Sequence, residues 1–233
     1  MKRLVQLALI SVLVVAAAAG QSRYTFSTDV KLVPTGHHSV PKDMTGTVVW
    51  LVSLDDPFAP ATAEDKHYRM AQKNKHFEPN LLVVPVGSLV DFPNLDPWFH
   101  NVFSLYQGKR FDLGLYQAGT QKSVRFDKPG VSYLFCNIHP EMSGAVLAVE
   151  SHWFDVSDAH GHVTIPDVPP GKYALHVWHE NATPEALKES DRTIEIVSNR
   201  SLAPLTLAIE PASRTHKNKY GKDYDPDALK PDY

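Results

Sequence analysis

Cys136, His139 and Met142 stand at three-residue steps in the stretch Phe135-Cys136-Asn137-Ile138-His139-Pro140-Glu141-Met142. A fourth residue, His100, lies 36 positions upstream of the cysteine, behind the turn signals Pro93-Asn94 and Pro97. Taken singly, each type has an ordinary role. A lone cysteine is commonly a small buried hydrophobe, and a methionine fills core space. Together in one short loop they form a donor set. Thiolate and thioether suit Cu(I), and imidazole suits copper in either state. Two His and one Cys in a trigonal set with a weak axial Met is what a blue-copper centre requires. Zinc is the competing ion, but structural zinc sites take four Cys or His ligands and rarely a thioether. The expectation is one type 1 copper ion held by His100, Cys136, His139 and Met142. Four protein ligands leave no open coordination position, which points away from substrate catalysis and towards a protein that is not an enzyme.

The elements that must position these residues read as short strands. With 18 Pro, 12 Gly, 10 Phe and 9 Tyr, the composition favours β structure with many turns. Runs at 81–84, 88–92, 101–105, 123–126, 132–136 and 145–149 are apolar or alternating, and Gly87, Gly108, Gly119 and Pro129-Gly130 punctuate them. The candidate ligands fall at the ends of such runs. Residues 47–52, Thr-Val-Val-Trp-Leu-Val, are nearly all apolar, as in a strand covered on both faces. A second group of strands follows at 154–156, 163–165, 173–178, 193–197 and 205–209. One short helix is expected over 184–190 with Pro184 at its start. Residues 55–74 read as a charged linker with one helical turn. Residues 211–233 read as a polar tail, disordered or draped over the surface.

Composition narrows the function further. A formal charge of −3, from 23 basic and 26 acidic residues, leaves no basic excess for nucleic acid. One cysteine excludes an intrachain disulfide framework. Residues 1–20 have a charged start at Lys2-Arg3, an apolar run over 4–19 and a small-residue end at Gly20. Those are the parts of a secretory signal peptide, although a retained N-terminal anchor has the same features. The mature chain has no other run long enough to span a membrane and is expected in the periplasm or secreted. A lone thiol in an oxidising compartment must be buried, modified or bound.

Residues 77–149 resemble a cupredoxin of the plastocyanin/amicyanin group. The likeness is carried by Phe77-Glu78-Pro79, Val84-Pro85-Val86-Gly87, Val90-Asp91-Phe92-Pro93-Asn94, His100-Asn101-Val102 and the Cys136 loop. The segments Phe111-Asp112-Leu113-Gly114-Leu115-Tyr116 and Phe126-Asp127-Lys128-Pro129-Gly130 resemble methylamine-utilisation-like periplasmic proteins. The resemblance implies a Greek-key β-sandwich and single-electron transport. It implies the same four copper ligands, with Asn101 tying the two ligand loops together and His139, beside Pro140, as the electron port. Trp98 and Phe99 either widen an apolar patch there or belong to the core. The implied partner is a protein, of dehydrogenase or cytochrome type.

Residues 154–179 resemble a carboxypeptidase-regulatory-like or transthyretin-like β-sandwich. The carrying text is Asp158-Ala159-His160-Gly161 and Ile165-Pro166-Asp167-Val168-Pro169-Pro170-Gly171-Lys172-Tyr173. Such domains open on a strand like Gly46-Thr47-Val48-Val49-Trp50-Leu51, which here precedes the copper region. The fold class expected is therefore all-β, a cupredoxin sandwich combined with a second small sandwich. The favoured division is a discontinuous sandwich over 22–56 and 150–210, with the copper domain at 57–149 inserted. Two consecutive domains are the alternative. His160-Gly161-His162 has a metal-binding spacing but reads best as a solvated turn. A second site drawn from His152, His160, His162, His176 and His179 is the less favoured reading. Two rival functions share the copper site: a copper carrier or sensor, and an accessory subunit of a periplasmic redox enzyme.

Overall fold

The computed structural model describes residues 22–56, 66–105, 108–211 and 217–224. The N-terminal leader lies outside these residues, as do the middle of the expected linker and the end of the tail. The chain is nearly all β. In order it forms β1 (Tyr24–Pro34), β2 (Val48–Ser53), β3 (His67–Arg69), β4 (Ala71–Lys73), β5 (His76–Glu78) and β6 (Leu81–Pro85). Next come β7 (Ser88–Pro93), β8 (His100–Ser104), β9 (Phe111–Tyr116), β10 (Gln121–Phe126), β11 (Gly130–Phe135) and β12 (Ser143–Val149). Then follow β13 (Trp153–Val156), β14 (His162–Val168), β15 (Gly171–Trp178), α1 (Pro184–Ser190), β16 (Arg192–Ile196), β17 (Arg200–Ser201) and β18 (Leu205–Ile209).

Strand pairing divides these elements into two sandwiches. In one, the sheet β6-β12-β11-β8-β9 faces the sheet β10-β7-β3. Val84, Val102, Leu134 and Val146 from the first meet Val90, Phe92, Val124 and Phe126 from the second in a common buried cluster. In the other, β1 pairs with β14, β17 and β18, and faces the sheet β13-β2-β15-β16. Phe26, Leu32, Ile165 and Leu207 pack there against Leu51, Leu175 and Ile196. The alternation of strand side chains assigns these faces: β1 is buried at Phe26, Thr28, Val30 and Leu32 and open between them.

β2 has no open face. Val49 and Leu51 point into the second core. Val48 and Trp50 point the other way and meet Val83, Leu147 and Val149 of the β6-β12 sheet. An unbroken apolar strand therefore lies between two layers, and the two sandwiches stack through it. The seam opens on one side into a cleft of about 450 Å³ lined by Trp50, Trp178, Pro129 and Leu147.

The 55–74 stretch differs from its expected form. It holds two strands, β3 and β4, and no helical turn among its described residues. β3 runs parallel to β7, which places Met70 and Gln72 in the core. Gln72 disguises β4 in the sequence. Its amide is buried and donates to the Phe92 carbonyl, 3.4 Å, and to the Tyr116 hydroxyl. The helix forms over the expected residues. Thr183 caps it by accepting from the Ala186 amide at 3.2 Å, and Pro184 needs no amide partner in the first turn.

Candidate metal centre

Two strand ends build the centre. β11 ends at Phe135, which pairs with Phe103 of β8. Extending that antiparallel register by three residues sets His100, the first residue of β8, opposite the loop opening at Cys136. The loop closes on itself: the Met142 amide donates to the His139 carbonyl, 3.1 Å, and the Cys136 amide to the Met142 carbonyl, 3.3 Å.

Three donor atoms converge. Cys136 Sγ lies 3.6 Å from His139 Nδ1 and 3.9 Å from His100 Nδ1, and the two nitrogens are 3.1 Å apart. A triangle with those sides has its centre about 2.1 Å from each corner, within the roughly 2.0–2.3 Å of metal–imidazole and metal–thiolate bonds. Among the described residues this is the one group of three or more His, Cys, Asp or Glu donors close enough to hold a metal ion. The donors thus fit a metal by spacing as well as by type. His100 and Cys136 are fully buried and His139 is half-buried. Met142 is fully buried in the same apolar cluster as Cys136.

The protonation chemistry suits ligation. Burial pushes the Cys136 thiol up, while the backbone N–H groups of Asn101, Ile138 and His139 favour the thiolate. A cation at the centre of the triangle would supply the charge compensation that burial withholds. Burial also holds His139 below the ordinary imidazole range, and the neighbouring His100 acts in the same direction, so Nδ1 offers a lone pair near neutral pH.

His100 is oriented from behind. Its Nε2 lies 2.8 Å from a carboxylate oxygen of buried Asp96. A carboxylate only accepts, so the ring proton sits on Nε2 and Nδ1 faces the other donors. Asp96 is fixed by the two-residue turn between β4 and β5. Asn74 and Lys75 both take positive φ, 53° and 57°, as a tight hairpin demands. Their amides then point at Asp96, with N–O distances of 2.6 and 2.9 Å. Desolvation raises the Asp96 carboxyl, but Lys75, His100 and Asn74 together hold it below the usual carboxylate range. Asn94 shapes the loop between, accepting from the Asp96 amide at 3.0 Å and donating to the Trp98 carbonyl at 2.7 Å.

The remaining candidates fall as follows. Asn101 links the loops through its backbone, whose N–H faces the Cys136 sulfur. Its side-chain amide instead donates to Asp112 on β9, 2.7 Å. Trp98 and Phe99 are solvent-exposed at 44% and 56%, so they belong to the surface and not the core. His160 and His162 lie on an exposed turn with His162 on Asp29 at 2.6 Å. Gly161 holds that turn: its φ is 87°, and a Cβ there would meet the Val30 carbonyl oxygen at 2.3 Å.

The sequence reading missed two contributors, Asp96 and the end of the chain. Asp96 has one local clue, its i, i+4 spacing from His100. The chain end has none. Residues 217–224 lie against the centre, with the Tyr224 hydroxyl donating to the Cys136 carbonyl at 2.7 Å. The Lys219 amide donates to the Asn137 side chain at 3.1 Å, and its ammonium meets Asp112 at 2.8 Å.

No family model and no curated protein matches the chain. Among solved structures it is similar to a purple cupredoxin from Nitrosopumilus maritimus, at 24% identity over 35% of this chain and 99% of that one, with a TM-score of 0.32. It is similar to a mutant of amicyanin in the reduced state, at 24% identity over 43% of this chain and 98% of that one, TM-score 0.35. It is also similar to a copper-containing nitrite reductase from Thermus scotoductus SA-01, at 24% identity over 52% of this chain and 28% of that one, TM-score 0.35.

Proposed function

We propose that this chain is a type 1 copper protein that passes single electrons between protein partners. The observation that carries the reading is the triangle of Cys136 Sγ, His100 Nδ1 and His139 Nδ1, sized for one ion and closed to water on the His100 and Cys136 sides. Copper bound there would supply a one-electron couple between Cu(II) and Cu(I). Cys136 would bind as thiolate and both imidazoles through Nδ1, and buried Met142 would supply a thioether as the fourth donor. Asp96 holds the His100 ring, and the loop hydrogen bonds from Cys136 to Met142 hold the other three donors. A donor set fixed in this way changes little between oxidation states, which favours fast electron transfer over catalysis on a substrate. His139 is the ligand nearest the surface, and exposed Trp98 and Phe99 offer apolar area for a dehydrogenase- or cytochrome-type partner. The leader-like residues 1–20 support export to the periplasm or beyond. No helix among the described residues is long and apolar enough to cross a membrane. The pairing of β2 with β13 and β15 supports an inserted copper domain at 57–149 within a sandwich made of 22–56 and 150–210.

The test is the visible spectrum of the purified protein with Cu(II), beside Cys136→Ser. An intense thiolate-to-copper band, bleached by reductant and absent from the variant, is the expected result. A colourless protein that still binds copper would replace electron transfer with copper carriage.

A further inference from the structure

The polar C-terminal segment contacts the Cys136 loop directly and reaches the strand of His100 through Asp112. Asn218 organises it: its side-chain oxygen accepts from the Tyr220 and Lys222 amides at 2.9 and 3.1 Å, and its carbonyl accepts from Gly221 at 2.9 Å. Gly221 supplies the positive φ, 73°, that closes the turn. This small turn delivers Lys219 and Tyr224 to the centre. Tyr224 reaches the carbonyl of Cys136 itself, and Lys219 reaches Asn137, the next residue of the loop. The Lys219 ammonium also holds Asp112, whose other oxygen takes the Asn101 side chain beside His100. One segment thereby bridges the loop of Cys136 and the strand of His100.

We infer that residues 217–224 are a third structural part of the copper centre, a strap in which Tyr224 and Lys219 are positioning residues that hold the Cys136 loop closed. The inference rests on the copper reading for its function but not for its geometry. An exposed ion pair contributes little by itself. The half-buried Tyr224 hydroxyl on a ligand carbonyl contributes more, and it would be lost in any opening of the loop. With the strap removed, Cys136 and any ion it holds would meet solvent more often.

Cys136 is the only cysteine, so its reaction with 5,5′-dithiobis(2-nitrobenzoate) in the metal-free full chain reports opening directly. Release of Cu(I) to bicinchoninate reports the same opening in the loaded protein. A chain ending at Pro211 keeps β18 intact and is expected to speed both by about tenfold or more. Tyr224→Phe, which leaves the chain whole, is expected to speed both about fivefold, the effect of one hydrogen bond of ordinary net strength. Lys219→Ala is expected to have a smaller effect that Lys219→Arg reverses. Wild-type rates in the truncated chain and in Tyr224→Phe would overturn the strap. A full chain without the blue band, whose thiol is still protected by the tail, would overturn the copper reading and leave the strap standing. A blue full chain whose rates ignore the tail would overturn the strap alone.

Discussion

His100 has two ring nitrogens that face different ways. Nδ1 points at the other donors and Nε2 at Asp96. The carboxylate fixes the tautomer, so its removal should be felt at the metal. Asp96→Asn is expected to weaken copper binding by about 10–100-fold, the usual cost of losing a partner behind a ligating histidine. Competition against a chelator of known affinity measures it. The same variant replaces one acceptor of the Asn74 and Lys75 amides by an NH2 group. A stability loss of about 1.5–3 kcal/mol in denaturant is expected, typical of hydrogen bonds to a charged group. Unchanged affinity would make Asp96 a purely structural residue. The grouping of His100, Cys136 and His139 was legible in the sequence because thiolate and imidazole beside a thioether in one loop have few joint uses. Asp96 was not, because its meaning comes from amides 21 and 22 residues upstream that only the folded hairpin brings near.

At the scale of elements, apolar alternation found most strands, and proline at the first helical position found the helix. It failed where a buried strand carries polar residues. β4 contributes Gln72, whose burial depends on Tyr116 of β9 and Phe92 of β7. Tyr116 in turn donates to the Phe92 carbonyl at 2.9 Å. Tyr116→Phe breaks both contacts and leaves the Gln72 amide short of a partner. A cost of about 1–3 kcal/mol in urea unfolding is expected, with the secondary structure unchanged. The loop between β15 and α1 gives an element-scale prediction in pH. Buried His179 accepts the Asn181 amide on Nδ1 at 3.1 Å, and burial holds its pKa below the ordinary value of 6.5. The unfolded chain therefore binds a proton that the native loop refuses. The contribution of neutral His179 is complete above pH 6.5 and is lost as the pH falls below it. His179→Asn keeps an acceptor without a titrating ring. Its melting temperature should depend less on pH than the wild type's between pH 7 and 5; identical profiles would remove His179 from the acid response.

At the scale of the molecule, two sandwiches with separate cores share one seam. β2 belongs by hydrogen bonds to the second sandwich, yet Val48 on its outer face is buried against Val83, Leu147 and Val149 of the one that carries the candidate metal centre. The sequence showed that β2 was covered on both faces, because no polar residue interrupts it. It did not show by what, since the covering strands lie in text that also reads as an ordinary sandwich. The seam predicts coupling between the halves. Leu147 is 3% exposed, and Leu147→Ala is expected to cost about 2–5 kcal/mol as a buried truncation. That loss falls on the seam and leaves the two main cores intact. Calorimetry of the metal-free wild type is expected to show one transition, and of Leu147→Ala two. Copper stabilises only what binds it, by about 2.7 kcal/mol at a free concentration a hundred times Kd. In the variant it should therefore raise one of the two transitions and leave the other in place. In the wild type it should raise the single transition as a whole. Two transitions already present in the wild type, with copper moving one, would mean that the stacked sheets touch without sharing stability.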